Sequence, residues 1–185
     1  MNQASPESII MLGRISLSLT LPLLLGALQP ELPATWKMVT SKDGGFKIGM
    51  PGKPAESKRK VLTATGHLDV TLLVAEGRNG AAFAISYCDY SEDDVKKRDL
   101  EKRLDHARDG AVSSSGGKLQ SERIADLRDG DNLHRGRDLI IEKNGGIIAR
   151  MRIFLVGRRL YQVMVLGTAP TKEAGIFLDS FELNK

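Results

Sequence analysis

The sequence predicts an α+β domain built on an antiparallel β-sheet of about six to eight strands, with one long charged helix and a short C-terminal helix. Three observations carry this prediction. Short runs of alternating apolar and polar residues are separated by glycine-containing turns, which is typical of β-hairpins. One mid-chain segment, starting at Ser91, combines helical periodicity with many charges. The order of elements includes no βαβ crossover, so neighbouring strands are expected to be antiparallel.

The first predicted strand is Phe46–Met50, where apolar residues alternate with small or charged ones until a proline ends the run. Lys58–Thr65 and His67–Ala75 flank Gly66 and predict a hairpin. Ala81–Tyr87 predicts a further strand, with one face of small side chains that suits close packing against a helix. The buried positions expected in the hairpin are Val61, Leu68, Val70, Leu72 and Val74.

The long helix is predicted to start after Ser91, because a serine followed by acidic residues resembles a capping box and complements the helix dipole. It is expected to run to about Val112 and to end before Gly116 and Gly117. The remaining positions are almost all charged, so one thin face is expected to lie on the sheet. That apolar face comprises Val95, Leu100, Leu104, Ala107 and Ala111.

A central hairpin is predicted over Ile147–Leu166, because two apolar runs flank Gly157 and Arg158. Glycine at the first turn position suits a two-residue type II′ turn, which places Val156 opposite Arg159. One face is then almost entirely apolar and is expected to be the core face. The other is mixed and is expected to be only partly covered. The core face pairs Leu155 with Leu160, Ile153 with Gln162, Met151 with Met164 and Ala149 with Leu166; the mixed face pairs Phe154 with Tyr161, Arg152 with Val163 and Arg150 with Val165.

Two strands precede this hairpin, Lys118–Leu127 and Leu133–Lys143, and the Asp-Gly pair between them is a strong turn signal. The next connection contains Asn144, Gly145 and Gly146. A three-residue loop is favoured over a two-residue one, because it places Asp138 rather than Arg137 opposite Arg152.

The chain is predicted to end with a short helix and an edge strand. Thr171 is expected to cap the helix Lys172–Ser180, and Phe181–Leu183 is expected to form the strand. The helix residues expected to face the core are Ala174, Phe177 and Leu178.

The N-terminal 34 residues are predicted to be a secretory signal peptide, and residues 35–185 a single α+β domain. Ile15–Leu28 is apolar and too short to span a bilayer comfortably, so no permanent transmembrane span is expected. Met11–Arg14 is a more typical beginning for such a segment, which makes Met11 an alternative start. The other alternative is an apolar helix packed on the domain. We expect an exported protein in the periplasm or outside the cell, its mature form beginning between Ala27 and Thr35.

Composition limits the classes of protein. A chain of 185 residues is long enough to bury a core without disulfides or metals. Aromatic residues make up only 5%, which disfavours base stacking, so nucleic-acid binding is not expected. The net charge of +4 comes from interspersed charges typical of a solvated surface. Cys88 is the sole cysteine, so neither an intrachain disulfide nor a lipoprotein attachment site is expected.

Several stretches resemble the PsbP-like fold: Trp36 followed by Phe46–Pro51, the charged mid-chain helix, Gly157–Tyr161, and Phe177–Phe181. The resemblance covers roughly residues 36–183 and is similar to that seen in short exported bacterial proteins of this pattern. That fold serves as a photosystem accessory subunit in one lineage and as a GTPase-binding protein in another. The resemblance therefore implies an accessory or interaction role and assigns no functional residue.

No catalytic constellation is recognisable. The histidines, His67, His106 and His134, lie on different elements without metal-ligand spacing. Asp129–Asn132 begins like a calcium loop but lacks the distal glutamate, so turn chemistry explains it better. Cys88 is interpreted as a buried structural thiol rather than a nucleophile. No enzyme activity, metal or cofactor is predicted.

One basic group is a candidate site for an anionic ligand: Arg150, Arg152, Arg158, Arg159 and Tyr161. The favoured alternative is that these arginines pair across strands with Asp138 and Glu142. Two functions are consistent with the sequence. The first is a non-catalytic, exported accessory domain that binds an unidentified envelope protein. The second is a carrier of a small or anionic ligand, with a pocket between helix and sheet walled by Leu100, Leu104, Phe83 and Ile85.

Overall fold

A computed structural model describes residues 31–63, 66–168 and 172–184. The predicted leader therefore lies almost entirely outside the described residues. The described part contains ten strands and three α-helices, in this order: β1 (Lys37–Ser41), β2 (Phe46–Met50), β3 (Ala55–Thr63), β4 (Gly66–Glu76), β5 (Ala82–Asp89), α1 (Glu92–Lys97), α2 (Leu100–Ser115), β6 (Lys118–Asp129), β7 (Asn132–Lys143), β8 (Ile147–Val156), β9 (Arg159–Gly167), α3 (Lys172–Asp179) and β10 (Glu182–Leu183).

The strands form two antiparallel sheets. The large sheet has seven strands in the order β3-β4-β5-β9-β8-β7-β6, and the small sheet has three in the order β1-β2-β10. The predicted α+β class with an antiparallel sheet is confirmed. The sequence did not predict β1 or the separate small sheet, which joins the two ends of the domain through pairing of β2 with β10.

The registers predicted for the central hairpin and for the hairpin that precedes it agree with the structure. Val156 lies opposite Arg159, and the turn glycine, Gly157, has a φ of 61°, in the region that favours glycine. The loop before β8 has three residues, because Lys143 pairs with Ile147, and it places Asp138 opposite Arg152 as expected. These strands were predictable because their turns are short and set the pairing directly.

The prediction that the mixed face of the central hairpin is only partly covered is wrong. Phe154, Tyr161, Val163 and Val165 on this face are all buried, and they belong to the larger apolar cluster of the protein. The small sheet and α3 cover them, so the large sheet is buried on both faces at its centre. On the opposite face Met151 is buried as predicted, whereas Met164 is only half-buried.

The long helix is interrupted, which corrects the prediction of one continuous helix. Arg98 has extended backbone angles, φ −131° and ψ 134°, and Asp99 starts α2 by accepting a hydrogen bond from the Lys102 N–H at 2.8 Å. Of the predicted apolar face, only three residues are buried: Leu104, Ala107 and Ala111. The helix ends at Gly116 with a left-handed φ of 64°, as the sequence indicated.

Two expectations for the β3–β4 hairpin are also wrong: the position of its turn and its face assignment. Gly66, expected between the strands, is the first residue of β4 and lies opposite Thr63. The fully buried residues of β4 are Thr71, Leu73 and Ala75, which face the small-sheet side. The predicted positions lie on the other face, where Val61 is 43% exposed and Leu68, Val70, Leu72 and Val74 are half-buried. Alternation identified the two faces correctly but did not identify the better covered one.

The C-terminal segment agrees with the prediction. Helix α3 buries Ala174, Phe177 and Leu178, and β10 is an edge strand of the small sheet. The predicted cap at Thr171 lies outside the described residues. Among the described helices, none has the length and apolarity needed to cross a membrane.

Candidate functional site

Helix α2 covers only part of one face of the large sheet. It packs on β7 and β8, while β3 and β4 on the same face lie beyond it. A groove of about 670 Å³ lies between the helix and this uncovered part of the sheet. We call it the sheet–helix groove. Its volume is in the usual range for small-molecule sites.

The floor of the groove is mostly apolar, with Gln162 of β9 as its polar member, and crosses four strands. Leu68 and Val70 contribute from β4, Cys88 from β5 and Leu160 from β9, and Val61 closes the end at β3. Cross-strand pairing puts these residues on one face, since Val61 lies opposite Leu68 and Cys88 opposite Leu160. With strands about 4.8 Å apart, the floor from β3 to β9 is about 14 Å long.

Small residues give the groove its depth on the helix side. Ala107, Gly110, Ala111, Ser113 and Ser114 of α2 line this wall. Two of them, Ala107 and Ala111, are also the residues with which α2 approaches the sheet. Larger side chains here would occupy space that the groove leaves open.

Polar groups lie at the other end, near the interruption between α1 and α2. They are Tyr90, Asp94, Arg98, Arg103 and His106. Arg103 donates a hydrogen bond from Nη1 to the Gly157 carbonyl at 3.1 Å, but its buried Nε has no partner within the described residues. The Asp94 carboxylate accepts a hydrogen bond from the Ser91 hydroxyl at 2.8 Å.

Burial controls the acidity of two groups in the groove. It raises the pKa of the Cys88 thiol to about 11, with a smaller contribution from the charge of Asp89. Burial also raises the pKa of the Tyr90 phenol to about 12. Both groups are therefore protonated at neutral pH. Cys88, which is 6% exposed, lacks the thiolate that nucleophilic chemistry requires.

A pocket between helix and sheet was predicted, but its expected walls do not line this groove. Phe83 and Ile85 belong to the apolar cluster on the opposite face of the sheet. Both leucines belong to α2: Leu104 is fully buried, and Leu100 is 37% exposed. The small residues of β5 face the helix side, as expected from the sequence, and Cys88 packs in one cluster with Ala107 and Ala111. The error lies in the choice of Phe83 and Ile85 as pocket walls, since both belong to the large-residue face of the same strand.

The predicted anion-binding residues fall into two groups. Arg150 and Arg152 lie along β8, and both approach Oδ2 of the buried Asp138, at 3.4 and 3.5 Å. Arg152 also pairs with Asp179 at 2.7 Å. The alternative of cross-strand pairing thus describes Asp138, whereas Glu142 accepts a hydrogen bond from Gln120.

The second group lies at the turn of the central hairpin. Arg159 forms a two-pronged ion pair with Asp89, at 2.7 and 2.8 Å, and its guanidinium lies over the Tyr87 ring. Tyr161 is buried and donates its hydroxyl hydrogen to the Gly44 carbonyl at 2.7 Å. Arg158 is exposed. Anion contact by these residues stays a prediction.

The sequence pattern did not indicate the polar end of the groove. Arg98 and Arg103 were assigned to a continuous solvated helix face, so nothing separated them from the many other charges. The available signal was Asp99, a residue type that caps helices, directly after Arg98. Within the described residues, no group of three or more His, Cys, Asp or Glu side chains is placed to hold a metal ion.

Comparison of the sequence with models of known protein families finds no match, and comparison with curated proteins finds no related sequence.

Proposed function

We propose that this chain is a non-catalytic, exported binding domain that holds a small, largely apolar ligand in the sheet–helix groove. The observation that carries the proposal is the apolar floor of a groove of about 670 Å³, left open where α2 does not cover the sheet. Removing apolar surface from water is favourable, so a ligand that covers this floor lowers the free energy of the system. A polar end with a few hydrogen-bonding groups provides orientation.

The non-catalytic part of the proposal rests on the protonation state of the groove. The Cys88 thiol and the Tyr90 phenol both hold their protons, since burial raises the pKa of each. A site of this kind binds through contact and hydrogen bonding.

Export and fold relationship belong to the same proposal. The apolar run Ile15–Leu28 supports removal of a signal peptide, with the mature protein beginning between Ala27 and Thr35. N-terminal sequencing of protein from cell fractions tests this. A cytoplasmic protein with an intact Met1 or Met11 would contradict it. The stretches similar to the PsbP-like fold support an accessory role beside ligand binding.

Binding is tested by fluorescence titration with N-phenyl-1-naphthylamine, a neutral dye that brightens in apolar surroundings. We expect saturable binding by the native protein, and at least about tenfold weaker binding by Val70→Phe, which fills the floor. Val74→Phe is the matched control, because Val74 is half-buried on the same face of β4 but does not line the groove. Absence of saturable binding, or equal loss in both variants, would overturn the proposal.

A second candidate function is docking on a protein partner through β6. This strand is an edge of the large sheet, is 12 residues long, and lies beside exposed apolar side chains: Ile124 is 62% exposed and Leu133 of β7 is 53% exposed. An open edge with apolar side chains can pair with another chain. Affinity capture from envelope extract with the native protein and with Ile124→Lys distinguishes this function, which requires a partner that the variant loses.

A further inference from the structure

The two arginines at the polar end of the sheet–helix groove are not paired with a carboxylate. Within the described residues, Arg98 and Arg103 form no ion pair, and Nε of Arg103 is buried without a hydrogen-bond partner. A buried donor without a partner is costly, and a ligand acceptor would satisfy it. Two guanidinium groups at one site are therefore available to a bound anion.

The two carboxylates that line the groove, Asp94 and Asp109, form their hydrogen bonds and ion pairs with other residues. Asp94 accepts from the Ser91 hydroxyl at 2.8 Å, and Asp109 pairs with Nε of Arg108 at 2.8 Å. Both can still attract the arginines at longer range, but neither forms an ion pair with Arg98 or Arg103. The side chain of His106 also lines the groove and adds no negative charge.

Tyr90 lies at the same end. It lines the groove together with Arg98 and Arg103, and the charges of both arginines favour the ionised form of its phenol. Desolvation outweighs these charges and raises the pKa of Tyr90 to about 12, so the hydroxyl remains a hydrogen-bond donor. The polar end thus offers donors from three side chains.

The rest of the groove suits a single hydrocarbon chain. From the polar end the floor continues over Leu160, Cys88, Val70 and Leu68 toward β3. Gln162 also lines the groove, and its amide oxygen accepts a hydrogen bond from the Ser86 hydroxyl at 3.2 Å. The floor is about 14 Å long from β9 to β3, taking about 4.8 Å per strand spacing. A ligand complementary to it carries its charge at one end only.

We infer that the sheet–helix groove binds a single-chain fatty acid as its anion, with the carboxylate at Arg98, Arg103 and Tyr90 and the hydrocarbon chain on the floor. A carboxylate is favoured as the head group because guanidinium forks match its geometry. This inference rests on the proposed function and specifies its ligand class.

The test compares dodecanoate with dodecanol, which has the same chain without the charge, as competitors of N-phenyl-1-naphthylamine below their micellar concentrations. We expect dodecanoate to displace the dye from the full-length protein at concentrations about tenfold or more below those of dodecanol, since hydrogen bonds to charged groups are the stronger ones. Equal displacement by the two compounds would overturn the inference while leaving the proposed function intact. Failure of the dye itself to bind would instead overturn the proposed function.

The variant arm uses Arg98→Gln, with Lys97→Gln as a control that removes the same charge from the neighbouring position outside the groove. Arg98→Gln should weaken the binding of dodecanoate about tenfold and leave the binding of dodecanol unchanged. Equal weakening by both variants would show a general charge effect and overturn the inference. Circular dichroism checks that both variants fold. As a measurement without variants, added salt should weaken dodecanoate binding to the native protein and leave dodecanol binding unchanged, and identical salt dependence would count against the inference.

Discussion

Replacing Phe154 by alanine tests whether the mixed face of the central hairpin is the principal core. Phe154 is 3% exposed, and its ring stacks on Phe181 at 5.8 Å with an interplanar angle of 6°. Gly136 lies opposite it on β7, and a β-carbon there would come within 2.5 Å of the Phe154 ring. The ring therefore occupies space that its neighbour leaves empty, between the large sheet and the C-terminal segment.

The expected cost follows from this burial. A buried aromatic side chain removes roughly 150 to 250 Å² from water, worth roughly 4 to 6 kcal/mol at about 25 cal/mol per Å². Alanine retains the β-carbon and the core relaxes partly, so we expect Phe154→Ala to lower the free energy of unfolding by about 3 to 5 kcal/mol. Met164→Ala is the comparison. Met164 is half-buried on the opposite face, so its loss should cost only about 1 to 2 kcal/mol.

Urea denaturation provides the measurement. Trp36 is the sole tryptophan and is 8% exposed in the same apolar cluster as Phe154, so its fluorescence reports on this core directly. Circular dichroism of the same samples checks that unfolding is two-state. If Met164→Ala lowered the denaturation midpoint more than Phe154→Ala, the assignment of the larger core to the Phe154 face would be refuted.

Three further predictions concern charged and ionisable groups. Arg137 is buried and pairs with Glu122 at 2.8 Å and with two carboxylates of α2, so Arg137→Ala should destabilise by about 2 to 3 kcal/mol in urea denaturation, against under about 0.5 for the exposed Arg123→Ala. Equal destabilisation by the two variants would contradict this prediction. Cys88 ionises at about 11 in the folded state instead of 9.0, so the free energy of unfolding should fall as pH rises across that interval. Cys88→Ala should remove that part of the fall, and an unchanged pH profile would disprove it. The Arg159 hydrogen bond lowers the pKa of Asp89, so its stabilisation should be present above about pH 4 and disappear as acid protonates the folded carboxyl; Arg159→Gln should flatten this acid limb, and an unaltered limb would argue against the pair.

Much of the C-terminal half was predictable because its turns carry strong local information. Gly157 adopts the positive φ that its two-residue turn requires. A turn of two residues at this point places Val156 opposite Arg159. At the next turn the choice between registers depended on charge, and Asp138 does lie opposite Arg152. Both decisions involve residues close in sequence, where few arrangements compete.

The interruption of the long helix illustrates where local reasoning was insufficient. Arg98 and Asp99 have no strong aversion to helices, so periodicity alone extended the helix through them. In the structure, Asp99 caps α2. Arg98, which has extended backbone angles and lies between α1 and α2, lines the groove. The groove's polar end therefore depends on a backbone choice that nearby sequence left open.

By itself, the sequence determined the α+β class, the antiparallel hairpins and which side chains share a face, because strand alternation and glycine turns are local properties. Only the tertiary structure decided what covers each face. Strand β5 pairs with β9, and β2 pairs with β10, in each case between segments that are far apart in the sequence. These pairings bring the small sheet and α3 over Phe154 and leave Leu68 and Val70 under an incomplete helical layer. A residue's own pattern shows that it can be buried, but burial itself depends on distant segments whose packing must outweigh the entropy of closing the chain between them.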